Sequence, residues 1–251
     1  AIQFYKNKDY KSDLSLQVFY YNLVNCYLHL RQFEKGQNSI YLLEQLVNPG
    51  SINWFKIQEL YFFMAMHTKN YNEAWTILCR VQNAGNYNAL PVPMTELWKI
   101  FEAYANYLIL IGILKPESQP EQQKDFRVNR FLNEMEIFSK DKCGMNISLL
   151  ILQFLFALAR GQFNSCEKQI EALAKYRLRY LRDKDTLRSN RFIKLLLKIP
   201  QYAYKVPEIR KKTEKTEQAL RAIPWEEVNQ SREIEIIPYE DLWEMALDSL
   251  A

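Results

Sequence analysis

Apolar residues recur along this chain at three- and four-residue steps, and the recurrence breaks at short polar turns, the pattern expected of amphipathic helices packed in pairs. Leu16, Phe19, Tyr20, Leu23, Val24, Tyr27 and Leu30 define a first helix within Leu14 to Arg31. Gln32-Phe33-Glu34-Lys35 turns the chain, Ile40, Leu43, Leu46 and Val47 mark a second helix, and Asn48-Pro49-Gly50 stops it. From Trp54 the pattern returns with Tyr61, Phe62, Ala65 and Met66, a turn at Lys69-Asn70-Tyr71-Asn72-Glu73, then Ala74, Leu78 and Val81. Phe33 and Tyr71, aligned at the two turns, lie 38 residues apart.

A third pair reads as Met94 to about Leu114, a polar loop from Lys115 to Glu121, and a helix from Asp125 to Ser139. A fourth has Asn146 to Arg160, a Gly161-Gln162-Phe163-Asn164 turn, and Ser165 to about Tyr180. Further on, Thr186 to Ile199 predicts a helix ended by Pro200, and Val206-Pro207-Glu208 opens another reaching about Ala222, with its proline in the permitted first turn. The strand-like run Glu233 to Ile237 precedes Pro238 and a short helix from Tyr239 to Leu250. A lone strand cannot build a sheet, so this run is expected to lie extended over the last helices.

The pairs resemble tetratricopeptide repeats (TPR), helix-turn-helix units of about 34 residues with aromatic, Leu and small residues at set places. Tyr20, Leu23, Tyr27 and Gly36, with Asn48-Pro49 at the exit, carry the resemblance in the first pair. Ala65, Tyr71 and Ala74 carry it in the second, Phe101, Tyr104, Ala105 and Gly112 in the third, and Ala157, Gly161, Phe163 and Cys166 in the fourth. The small residues let paired helices approach, and the aromatics fill the space between successive pairs. The 38-residue spacing, the long third loop and the divergent end depart from the family pattern.

The resemblance implies an all-α fold: an α-solenoid of antiparallel helix pairs, a TPR-like superhelix with a C-terminal capping segment. Residues 1–182 would form an array of about four helix pairs, and 183–251 divergent helices and an acidic capping tail within the same continuous domain. Trp225, Ile236, Ile237, Trp243 and Leu247 are the expected cap anchors, being apolar in a tail rich in acids. Such arrays hold another polypeptide on their concave face. By that register Tyr21, Asn25 and His29 of the first pair and Lys56, Glu59, Phe63 and His67 of the second line the groove; the plainer alternative is an ordinary solvated helix face.

Composition narrows the chemistry. With 6 glycines in 251 residues, turn-rich β folds and phosphate loops are disfavoured, and an apolar share of 48% with 14% aromatics excludes a disordered chain. The net charge of +4 is unevenly spread: +1 over 1–174, +10 over 175–221 and −7 over 222–251. Arg177, Arg179, Arg182, Arg188, Arg191 and Lys194, interleaved with Tyr176, Tyr180 and Phe192, therefore offer an alternative function as a nucleic-acid-binding solenoid. On α-helical spacing, Arg188, Arg191 and Lys194 form a basic solvent face opposite Leu187, Ile193, Leu196 and Leu197. That face, with its neighbours, is also a place for the acidic tail to dock.

Nothing in the spacing suggests catalysis. The two histidines, His29 and His67, occupy equivalent repeat positions, and no Ser-His-Asp, Cys-His or H-E-x-x-H arrangement is visible. Cys26, Cys79, Cys143 and Cys166 stand 53, 64 and 23 positions apart, each among apolar residues, and are expected to be small buried hydrophobes in a reducing cytoplasm. The longest apolar run, Ile147 to Ala159, is too short to span a bilayer of about 30 Å. A start at Ala1 without Met points to a longer parent protein. The sequence reading is thus a non-catalytic scaffold for an unidentified protein or peptide, with no cofactor, metal or membrane span.

Overall fold

The computed structural model describes residues 13–116, 145–224 and 235–250. The expected helix from Asp125 to Ser139, Trp225, Cys143 and the start of the strand-like run lie outside the described residues. Every regular element among those described is helical. These are α1 (Asp13–His29), α2 (Phe33–Glu44), α3 (Ile52–His67), α4 (Tyr71–Gln82), α5 (Val92–Leu110), α6 (Met145–Ala159), α7 (Phe163–Tyr180), α8 (Leu187–Leu196), α9 (Lys198–Gln201), α10 (Val206–Arg221) and α11 (Tyr239–Asp248). The chain divides into two compact units, Ala1–Trp98 and Lys99–Ala251, a division that falls inside α5.

One backbone turn recurs. After α1, α3, α5 and α6 the chain takes a left-handed residue, Arg31, Lys69, Gly112 or Gly161, with φ of 54°, 61°, 76° and 65°. The next amide then reaches back five residues: Gln32 N to Tyr27 O at 2.8 Å, Asn70 N to Ala65 O at 2.8 Å, Ile113 N to Leu108 O at 3.0 Å and Gln162 N to Ala157 O at 2.9 Å. This double-bonded helix ending satisfies carbonyls that would otherwise be orphaned. Two glycines meet the requirement for positive φ; Arg31 and Lys69 adopt it at a cost of about 1 kcal/mol each.

The residues opening α2, α4 and α7 also coincide. Gln32, Asn70 and Gln162 have φ, ψ near −87°, 63°, −86°, 66° and −85°, 66°. Each is followed by an aromatic, Phe33, Tyr71 or Phe163, and three residues on by a buried small residue, Gly36, Ala74 or Cys166. At Gly36 the reason for smallness is explicit: a Cβ would stand 2.6 Å from Met64 Cε and 3.4 Å from Tyr27 Cβ.

In the first unit, α1 packs on α2, α2 on α3 and α3 on α4. Leu16, Tyr20, Val24 and Leu28, at four-residue steps, bury one stripe of α1, and Ile40 and Leu43 of α2 are likewise enclosed. Each such side chain contributes about 1.5–3 kcal/mol on burial. Ser51 caps α3 by accepting from Trp54 N at 3.2 Å. Cys26, expected inside, is exposed, because it lies off that buried stripe; Cys79 is half-buried and Cys166 buried.

In the second unit α6 is apolar all round and enclosed from Asn146 to Leu158, apart from half-buried Gln153. No described helix is long and apolar enough to cross a membrane. α7 packs on α6, and α8 contacts α7, α10 and α11. The expected helix Thr186 to Ile199 is instead split at Leu197, and α9 runs on through Pro200 to Gln201. The missing proline N–H removes the bond that would have continued α8, while a proline is harmless in the first turn of a new helix. Ile236, Ile237, Trp243 and Leu247 are buried.

Candidate functional site

In the first unit a cavity of about 290 Å³ opens between α1 and α3. From α1 it is lined by Leu14, Gln17, Val18, Tyr21 and Asn22, a single stripe; from α3 by Asn53, Lys56 and Ile57; and its floor is Leu43 and Val47. Leu14 and Val18 are 66% and 53% exposed, unusual for aliphatic side chains beside an open cavity. The polar rim is partly prearranged: Asn53 Nδ2 donates to Gln17 Oε1 at 3.2 Å, and Gln17 Nε2 donates to Leu46 O at 2.6 Å.

Of the residues expected in the groove, Tyr21 and Lys56 line this cavity. Asn25 is half-buried, but its amide is engaged within its own helix, donating to Tyr21 O at 2.9 Å. Glu59 is buried and held by Lys56, whose Nζ donates to its two oxygens at 3.1 and 2.9 Å. Burial raises the Glu59 carboxyl above its ordinary range, and the Lys56 ammonium only partly opposes this. His67 is 7% exposed, edge-on to Phe33 at 6.4 Å and Phe63 at 6.5 Å. His29 and Phe63 are half-buried. The two histidines are thus equivalent in register but not in surroundings, since Phe33 from the turn covers His67. Glu59 and His67 do not form an open polar face, and the usable cavity lies toward the start of α1.

In the second unit, the expected division of α8 into a basic solvent face and an apolar face is corrected on each face at the start of the helix. Arg188 is buried with 1% exposure, while Leu187 is exposed. α8 is enclosed by α7, α10 and α11, so little of its surface remains free. Arg188 Nε and Nη2 donate to Glu235 Oε1 and Oε2 at 2.6 and 3.1 Å, Nη2 also to Glu240 Oε2 at 2.7 Å, and Nη1 to Leu220 O at 3.3 Å. Burial disfavours the guanidinium's charge, but the two carboxylates more than reverse that. Glu235 also accepts from Tyr239 N at 3.1 Å; burial holds its carboxyl above the ordinary range despite Arg188, one guanidinium here serving two acids. Ser189 and Tyr239 share a hydrogen bond of 2.8 Å, and Tyr239 stacks on Phe192 at 4.4 Å.

The other basic residues separate into two groups. Arg179 and Arg182 are exposed, Arg179 lying 5.3 Å over the Tyr180 ring and Arg182 Nε donating to Leu178 O at 2.5 Å. Arg177, Arg191 and Lys194 are half-buried.

Leu14, Gln17, Val18, Asn22, Asn53 and Ile57 were not singled out by sequence reasoning. Their signal was present as a second stripe, Leu14, Val18 and Tyr21, beside the core stripe of α1. It is informative only once the core stripe has a partner and the second is seen to lack one among the described residues. No protein-family model, curated protein or solved structure matches this chain.

Proposed function

We propose that this chain is a non-catalytic binding scaffold that holds a segment of another polypeptide in the groove between α1 and α3. The observation that carries this reading is the cavity itself, apolar at its floor through Leu43, Val47 and Ile57 and amide-rimmed by Gln17, Asn22 and Asn53. Its volume suits one or two apolar side chains, and carboxamides suit a peptide backbone, which offers both donors and acceptors. The resemblance to tetratricopeptide repeats supports the same reading, since α1 and α3 are the first helices of their pairs. The recurring helix endings support a repeated unit. Glu59 and His67, the titratable groups nearest a chemical role, are held by Lys56 and enclosed by aromatic rings.

The test is selection of a displayed peptide library on the folded chain, followed by calorimetry of the enriched peptides. Val18→Glu, at an exposed position, is expected to weaken binding by about tenfold or more by placing a charge at the apolar mouth. Leu178→Glu, on exposed α7 surface, is expected to leave it unchanged. Peptides that bind Val18→Glu as well as the parent, or a library that yields no binder, would sink the proposal.

A further inference from the structure

Three half-buried cations of the second unit, Arg177, Arg191 and Lys194, stand on two helices that pack against each other. Arg177 stands in the last turn of α7, and Arg191 and Lys194 are spaced three apart on α8, which packs against α7. Asn190, beside Arg191, donates to Leu181 O at 2.5 Å and so ties α8 to the end of α7. Burial, then the charges of Arg191 and Arg177, push the Lys194 ammonium below its ordinary range, as expected where like charges face one another. Arg177 Nε is buried without a hydrogen-bond partner. Among the described residues no carboxylate pairs with any of the three, whereas Lys175, on the same helix, pairs with Glu171 at 3.9 Å.

The carbonyl end of α7 accounts for a cation at position 177. It does not account for two more cations on the neighbouring helix, nor for a buried donor with nothing to donate to. An anion seated among the three would satisfy both. We propose that Arg177, Arg191 and Lys194 form a binding site for a phosphate-class oxyanion, taken as free phosphate or as a phosphomonoester. Guanidinium forks and an ammonium match the tetrahedral oxygens of such a group, and three neighbouring cations suit a dianion. A phosphodiester strand carries single charges spaced along its length and would favour a stripe instead, so the compact cluster argues against a nucleic-acid track.

The whole chain is titrated with inorganic phosphate and with phenyl phosphate against sodium chloride at matched ionic strength, and thermal melting is followed. Both ligands are expected to raise Tm. Arg191→Gln and Lys194→Gln should each weaken binding about tenfold or more, and Arg179→Gln and Arg182→Gln should not. A stronger response to phenyl phosphate identifies an ester as the ligand, and equal responses identify free phosphate. Should the cluster variants fail to fold, the parent protein with isotopically methylated lysines gives a second reading: phosphate is expected to raise the Lys194 pKa selectively. The proposal is overturned if phosphate acts no differently from chloride, if the Arg179 and Arg182 variants lose as much as the cluster variants, or if an oligothymidylate binds and neither phosphate competes with it.

Discussion

The two compact units are both helical, yet they are closed by different forces. In the first unit, helices that follow one another in sequence pack together, and apolar stripes supply most of the contact. The one fully buried amide among its described residues, Gln58, is held from neighbouring helices, donating to Glu44 at 2.9 Å and accepting from Arg80 at 3.4 Å. In the second unit the last helix and the segment before it return to a helix about fifty residues earlier, and the junction is ionic. Arg188 is paired with Glu235 at 2.6 Å and Glu240 at 2.7 Å, the first two buried and Glu240 half-buried. Outside this cluster, Arg210 pairs with Glu244 at 2.8 Å, and Trp243 Nε1 donates to Glu217 at 3.3 Å. Apolar packing tolerates small errors of register, whereas a buried guanidinium is stable only with its carboxylates in place. The second unit's closure is therefore the more specific and the more fragile.

The largest effect is expected from Arg188→Met, which leaves the buried Glu235 and the half-buried Glu240 without their cation. A loss of about 3–5 kcal/mol is expected by urea denaturation. A triple variant with Met at 188 and Gln at 235 and 240 should recover part of it. If Arg188→Met alone costs less than about 1 kcal/mol, the cluster is not what closes the second unit.

Packing in the first unit is probed at Gly36. Gly36→Leu drives a large side chain toward Met64 and Tyr27 and should cost about 1–3 kcal/mol. Gly36→Ala should be close to neutral, because the methionine's terminal methyl can turn aside and alanine gains about 1 kcal/mol of helix propensity. Equal effects for the two substitutions would show that the approach of α2 to Tyr27 and Met64 does not set the spacing.

The smallest effect is a pH dependence. Glu59 has a folded pKa raised above its unfolded value, so its contribution to stability is present at low pH and is lost as pH rises through the folded pKa. Measured against Glu59→Gln, whose side chain does not titrate, the parent should lose relative stability from acid toward neutral pH. The opposite slope would mean that Lys56 outweighs burial and that Glu59 is firmly ionised in the folded protein.

Much of the helical layout was legible in the sequence because its signals are local. The turns at 31–33, 69–71 and 161–163 were readable from polar breaks in apolar periodicity, and the small residues Gly36, Ala74 and Cys166 stand in matching places. The burial of Ile236, Ile237, Trp243 and Leu247 was readable because apolar bulk in an acidic tail needs cover. The candidate site was less legible. Tyr21 and Lys56 came from the repeat register, but the same register placed His67 and Glu59 in an open groove, where the structure covers one with Phe33 and ties the other to Lys56. Nor did periodicity distinguish Arg188 from Arg191, three residues along the same helix.

By itself, then, the sequence determined the helices, their pairing with near neighbours and the small residues at their close approaches, all set by interactions within a few turns of chain. Tertiary structure alone decided which of several amphipathic faces acquired a partner. The stripe of Leu14, Val18 and Tyr21 stayed beside an open cavity, and Arg188 was taken inward by acids 47 and 52 positions away. The physical reason is that burial is a property of two surfaces meeting. A charge is stable inside only if its counter-charge arrives with it, and that meeting between distant segments leaves no periodic trace in either of them.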